Sequence, residues 1–346
     1  MGLFIDRYEA ERVRWGKQGQ PGATAGWVER DIKWTSELEA HLRRNTSLRF
    51  NSERIRSSSY RPFTTLWTYY DRVITHRVYQ QDSIFPIENN LPNICITITD
   101  PTGMKPWLVS ATSNLPDLHY VGAAAGSVCL PKERYEDSGP LENITDWALE
   151  QFRKHYQPGR AKPKRPITKE SIFHYVYGVL HDPVYREKYA INLKREFPRI
   201  PFYTDFWKWS DWGEELMKLH LGYESVTPAK LKRIDILDDG ARKSGVVPKA
   251  LLKADKEAGR ILIDGETTLS GIPPEAWRYQ LGSRTALEWV LDQYKERKPK
   301  DPTIREKFDT YRFADYKEKV INLLTRVTTV SARTVAIVEE MRKAVR

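Results

Sequence analysis

Pro116-Asp117 starts as the metal-holding motif of a PD…(D/E)xK nuclease starts, but the triplet that should complete it, Lys132-Glu133-Arg134, lacks the acid-x-Lys order. A divalent cation needs carboxylates converging from separate positions, and the second is missing. His119, Cys95 and Cys129 have zinc-type donor atoms without CxxC or HxxxH spacing, so we read them as two core thiols and an ordinary histidine. His174 and His181 stand two helical turns apart on one face, with no carboxylate or cysteine at ligand spacing, and read as structural. Asp100-Pro101-Thr102 approaches the [DNS]PP[YFW] loop with which an amino-methyltransferase grips a flipped base, but lacks the second proline and the aromatic. Neither GxxxxGK[ST] nor GxGxxG occurs, which removes a Walker loop and a Rossmann dinucleotide turn. Asp235, Asp238 and Asp239 resemble a solvated turn. No catalytic, cofactor-binding or metal-ligating residue is therefore assigned.

Cations supply the remaining chemistry. The 346-residue chain has 56 Lys and Arg against 46 Asp and Glu, a net charge of +10 that favours a polyanionic partner, nucleic acid foremost. Three clusters are candidates for phosphate contact: Arg54, Arg56, Ser57, Ser58 and Arg61; Lys162, Lys164 and Arg165; and Arg242, Lys243 and Ser244. The competing reading of each is a solvated surface, and Arg61 has another, an ion pair inside the fold with an acid such as Asp71. Most of the 11 Trp and 18 Tyr are expected in the core rather than stacked on bases.

Two cysteines exclude a disulfide-rich scaffold. No apolar run approaches the roughly 20 residues that span a bilayer, the opening MGLFIDRYEAERVRW has no signal-peptide core, and Asp6 breaks a myristoylation motif after Gly2. A cytoplasmic protein without membrane contact is expected.

These side chains need elements to position them. Periodicity predicts a charged helix over Leu3 to Trp15, a loop over Gly16 to Gly26, and a short helix over Ser36 to Arg44. Ile94 to Ile98 is a β-branched strand, with further strands at Leu66 to Tyr70, Trp107 to Ala111 and Ser127 to Leu130. Thr145 and Thr168 are N-caps, and a helix starting at Pro183 should present Tyr185, Tyr189 and Leu193 on one face and end at Pro198. Trp209, Trp212, Leu216 and Leu219 mark another helix, and Ala258-Gly259 a hairpin turn. From Tyr316 to Val345 a three/four spacing predicts one long helix, or two broken near residues 327–330. The fold class is α+β: a mixed-sheet part with a helical scaffold and a long C-terminal helix or helix pair. Five segments are expected: an N-terminal helical or linker segment (1–47), the mixed-sheet part (48–140), the helical scaffold (141–225), a small β part (226–275) and C-terminal helices (276–346).

Several stretches together carry a family resemblance. They are ITDWAL (Ile144 to Leu149), ITKESIFHYVYGVLHDPVYREKYAINLKREFPRIPF (Ile167 to Phe202), LHLGYE (Leu219 to Glu224), YQLGSRTALEWVLDQY (Tyr279 to Tyr294) and FADYKEKVINLLTRVTTVS (Phe313 to Ser331). SSYRPF (Ser58 to Phe63), TYYD (Thr68 to Asp71) and SNLPDLHY (Ser113 to Tyr120) fit the same picture. The chain resembles, from about residue 30 onward, the C-terminal specificity region of single-polypeptide type I restriction–modification enzymes, the type ISP group.

The resemblance implies a target-recognition domain for double-stranded DNA that leaves adenine-N6 methylation and restriction to methyltransferase and helicase–nuclease portions of the same enzyme. S-adenosylmethionine, ATP and Mg are then expected for the full enzyme and none for this chain. Base reading is expected from loops in the mixed-sheet part, about Arg49 to Tyr135. The alternatives are a methyltransferase component active only with its catalytic part, and an interdomain module without DNA contact.

Overall fold

Over residues 1–19, 32–101, 105–122, 126–159, 164–297 and 311–346, which the computed structural model describes, the chain folds into helices and small sheets, an α+β fold. Two compact units are each assembled from several passes of the chain. One comprises Met1–Ser58, Leu66–Asn93 and Glu133–Leu141, the other Ser59–Thr65, Ile94–Lys132 and Glu142–Arg346.

In the first unit, the helix Gly2–Lys17 buries Ile5, Tyr8 and Trp15 along one side. The Thr35 hydroxyl accepts the Leu38 N–H at 3.2 Å and starts the helix Ser36–Arg43, which places Leu38 and Leu42 in the same core with Leu48 and Tyr69. Tyr8 fixes the connection by donating its hydroxyl to the Thr46 carbonyl at 2.9 Å. Residues 55–58 and 66–69 of the neighbouring strands Ile55–Arg61 and Thr64–Tyr69 also belong to this unit, whereas the turn between the strands, with Phe63 at a left-handed φ of 57°, belongs to the second.

In the second unit, Cys95–Thr99 lies between Val109–Thr112 and Ser127–Pro131, antiparallel to both. Thr97 faces Ser110 on one side and Cys129 on the other. All five residues of the central strand are buried, which explains its continuous β-branched run. Beside it, Lys169–His181 and Phe206–Leu221 cross closely. Glycines make this possible: a Cβ on Gly213 would overlap the His174 carbonyl, and one on Gly178 would overlap that of Trp209. Thr168 and Ser171 close a capping box on the first of these helices.

A four-stranded antiparallel sheet, in the order Ala250–Asp255, Arg260–Asp264, Thr267–Ser270 and Lys232–Asp235, covers a second core in the same unit. The helix Lys317–Lys343 joins the two cores, with Val320 to Val335 in one and Ile337 and Met341 in the other. It runs unbroken through residues 327–330, where β-branching had left a break open. Thr328 donates back to the Leu324 carbonyl at 2.7 Å and Thr329 to that of Thr227 at 2.9 Å, so both hydroxyls are satisfied without interrupting the helix.

One helical expectation fails. The helix begun by Pro183 stops at Lys188, and Leu193 reaches the core from a separate 3-10 turn, Asn192–Lys194. Tertiary bonding draws the chain back: Tyr185 donates to the Arg199 carbonyl at 2.9 Å. Nothing local at residues 189–191 announces the stop.

Candidate nucleic-acid interface

An arginine on a strand can take one of two roles, depending on how many acceptors the fold places around it. Arg56 lies in the interior of the first unit. Its guanidinium donates to the carbonyls of Glu53 at 3.1 Å and Ile87 at 3.0 Å, and to the Asn90 side-chain oxygen at 2.8 Å. Burial lowers its pKa, and the remaining acceptor geometry is that of a strut between strand and loop. Arg54 pairs with the buried Asp71 and, at 3.1 Å, with the exposed Glu88. Ser57 and Ser58, on the same strand, are half-buried.

Arg61 belongs to the second unit. It donates to Asp117 at 2.9 Å, and its guanidinium lies 4.0 Å from the Tyr60 ring centre. The internal ion pair considered for Arg61 exists, with Asp117 rather than Asp71; Asp71 serves Arg54. Asp117 also accepts the His119 N–H at 2.9 Å. The aspartate of Pro116-Asp117 is thus a turn and ion-pair residue.

Lys162 lies outside the described residues. Lys164 is exposed. Arg165 forms a forked pair with Asp211 at 2.6 and 3.0 Å and sits 3.7 Å over the Trp207 ring. It borders a groove of about 500 Å3 with His174, Glu170, Glu214 and Lys218. Burial, against the pull of Glu214 and Glu170, holds His174 below its ordinary pKa. Lys243 ends the short helix Asp239–Lys243 and is exposed, and Ser244 donates to the Gly240 carbonyl at 3.0 Å. The side chain of Arg242 lies outside the described residues.

The aspartates expected in a solvated turn divide. Asp235 is a strand residue that accepts from Arg233 at 2.8 Å and Thr267 at 2.6 Å, whereas Asp238 and Asp239 lead into the short helix. Among the described residues no group of three or more His, Cys, Asp or Glu side chains is placed to hold a metal ion. Burial raises both thiols, Cys129 to about 12, so neither is a ready nucleophile at neutral pH. No described helix is long and apolar enough to cross a membrane.

Sequence reasoning passed over Trp67, the most exposed large side chain on its strand at 78%. It also passed over the histidine bridge of the second unit. The His220 ring is hydrogen-bonded to the Tyr177 hydroxyl at 2.6 Å and the Thr334 hydroxyl at 2.9 Å, tying three helices together. For Trp67 the signal was an aromatic within an otherwise hydroxyl-rich strand. For His220 no local signal exists.

The profile described as "Type ISP C-terminal specificity domain" matches residues 1–323. Among solved structures, the chain is similar to DrdV in a DNA complex, with a TM-score of 0.86 and 44% identity over 99% of this chain and 33% of that one. It is also similar to a nuclease-deletion mutant of the type ISP restriction–modification enzyme LlaGI in complex with a DNA substrate mimic, with a TM-score of 0.75 and 26% identity over 99% of this chain and 30% of that one. The ATP-dependent type ISP enzyme LlaBIII bound to DNA gives a TM-score of 0.75 and 26% identity over 99% of this chain and 21% of that one. The chain thus spans a third or less of the length of these enzymes. A search of curated proteins returned no match.

Proposed function

We propose, on the premise that this chain belongs to the type ISP C-terminal specificity domain family, that it recognises a short sequence in duplex DNA. The observation that carries this reading is the 44% identity over 99% of the chain to a segment of an enzyme solved with DNA. The net charge of +10 supports it, because phosphate neutralisation supplies affinity while base-edge contacts supply discrimination.

The exposed Lys164 and Lys243 are the first phosphate contacts of this proposal, with Lys162 and Arg242 beside them in sequence. Arg54, Arg61 and Arg165 already hold carboxylates, so DNA would have to compete for them. Arg56 would act indirectly, by holding its strand in place for Ser57 and Ser58. Base reading is assigned to loops between about Arg49 and Tyr135. Adenine-N6 methylation with S-adenosylmethionine, and restriction with ATP and Mg, are assigned to portions of the enzyme that this chain does not cover.

The test begins with methylation mapping in cells carrying the complete enzyme, which yields a target sequence. Duplexes of target and scrambled sequence are then titrated with the chain at about 50 and about 200 mM salt. Tighter binding to the target, with log affinity falling linearly in log salt, is expected. Equal affinity for both duplexes would remove recognition, and no binding at low salt would remove the DNA reading altogether.

A further inference from the structure

In the second unit, a cavity of about 380 Å3 opens between the loop before the strand Val109–Thr112 and the segment from Arg186 to Lys194. Lys105, Arg186 and Lys194 line it, Trp107 and Leu193 supply apolar wall, and none of its described lining residues is acidic. The volume is within the range that holds a nucleotide-sized ligand rather than a bare ion.

Arg186 is the cation that demands an explanation. It donates Nε to the Leu180 carbonyl at 2.6 Å and has no ion pair among the described residues. Asp182 attracts it, but the Asp182 carboxylate is already held by Arg346 at 2.5 Å and by the Tyr203 hydroxyl at 2.7 Å. Burial pushes the Arg186 pKa down to about 10, which still leaves it charged at neutral pH. A desolvated guanidinium is costly unless an anion and hydrogen-bond acceptors compensate it. Lys105 and Lys194 are likewise without an ion pair among the described residues. One cavity therefore gathers three cations, with no carboxylate among its described lining residues. A phosphate supplies what is lacking: negative charge and several acceptor oxygens in one compact group.

We propose that this cavity binds the phosphate of a nucleotide unit, with Arg186, Lys105 and Lys194 on the phosphate and Trp107 beside the sugar or base. The phosphate comes from the DNA backbone or from a free nucleotide. Only the first source rests on the function proposed above.

Lys105→Ala/Lys194→Ala is the variant of choice, because neither side chain makes a hydrogen bond or ion pair among the described residues. Circular dichroism and the melting temperature of the chain serve as folding controls. Binding is measured to a random-sequence duplex over a salt series, and to deoxyadenosine monophosphate by calorimetry. With DNA as the source, duplex affinity falls about tenfold and the salt slope becomes shallower by about two, close to one per cation removed. With a free nucleotide as the source, duplex binding is unchanged and mononucleotide binding is lost. Should the variant bind both probes as the wild type does, or should the mononucleotide bind neither protein while the salt slope stays unchanged, the cavity is not a phosphate site. If the wild-type chain binds no duplex, the proposed function falls and the mononucleotide arm alone decides the cavity.

Discussion

Arg56 is buried and Arg186 half-buried, both are still charged, and yet they are oppositely equipped. Around Arg56 the first unit arranges two carbonyls and an amide oxygen, so the guanidinium closes a loop onto a strand. Around Arg186 the second unit arranges one carbonyl, the rings of Tyr177 and Tyr279, an Asp182 carboxylate already held by Arg346, two further cations and an empty volume. The same residue type is a strut in one place and a receptor in the other. Acceptor supply, rather than charge or local sequence density, separates the roles. Arg56 stands in a basic cluster, whereas Arg186 lies in a stretch that reads as scaffold.

The contrast is most easily broken by removing each charge. Arg56→Ala strands three acceptors and is expected to destabilise the chain by about 3 kcal/mol, as measured by urea denaturation. Arg186→Met removes an uncompensated cation and keeps most of the stem's packing, so its stability is expected within about 1 kcal/mol of wild type, in either direction. If Arg186→Met proves as damaging as Arg56→Ala, both arginines are struts and the distinction is lost.

Histidine offers a third solution to the same problem, namely to give up the charge. Burial, with Arg186 nearby, drives His220 from 6.5 down to about 3, and burial, Arg186 and His220 together hold His181 well below its ordinary value. Between those limits the unfolded chain binds a proton that the native His220 refuses. Stability is therefore full above the unfolded pKa and is lost as pH falls below it. His220 alone is expected to remove about 2 kcal/mol between pH 7 and pH 5. The check is the pH dependence of the unfolding free energy in wild type and His220→Gln, which should differ in slope by close to one proton. Parallel curves would mean that His220 takes up its proton inside the fold.

How much of this was legible beforehand follows the same division between local and non-local causes. Thr145 and Thr168 are caps because a hydroxyl meets an N–H three residues on, a relation written in adjacent residues. The buried strand Cys95–Thr99 and the long helix were likewise readable, since burial on a face imposes its period on the sequence. The partners of the arginines were not. Arg61 meets Asp117 and Arg165 meets Asp211 across 56 and 46 residues, distances over which a single sequence has no register. For the same reason Lys105 and Lys194 could not be seen to share a cavity. The stop at Lys188 was hidden because Tyr185 and its distant acceptor, Arg199, draw the chain back.

Arg165 falls between the two extremes and gives the smallest and most selective test. It is half-exposed, has a replaceable partner in the equally exposed Asp211, and rests on Trp207 with or without it. Exposed pairs of this kind contribute about 0–1 kcal/mol, so Asp211→Asn should leave the melting curve close to wild type. If Arg165 faces DNA, removing its carboxylate frees one cation for a phosphate. Duplex affinity at low salt then rises severalfold, and the salt slope steepens by about 0.9. The rise should vanish in Asp211→Asn/Arg165→Ala, because the freed cation is then absent. An Asp211→Asn chain that binds duplex with unaltered affinity and slope would place Arg165 with Arg56, as a residue whose charge serves the fold.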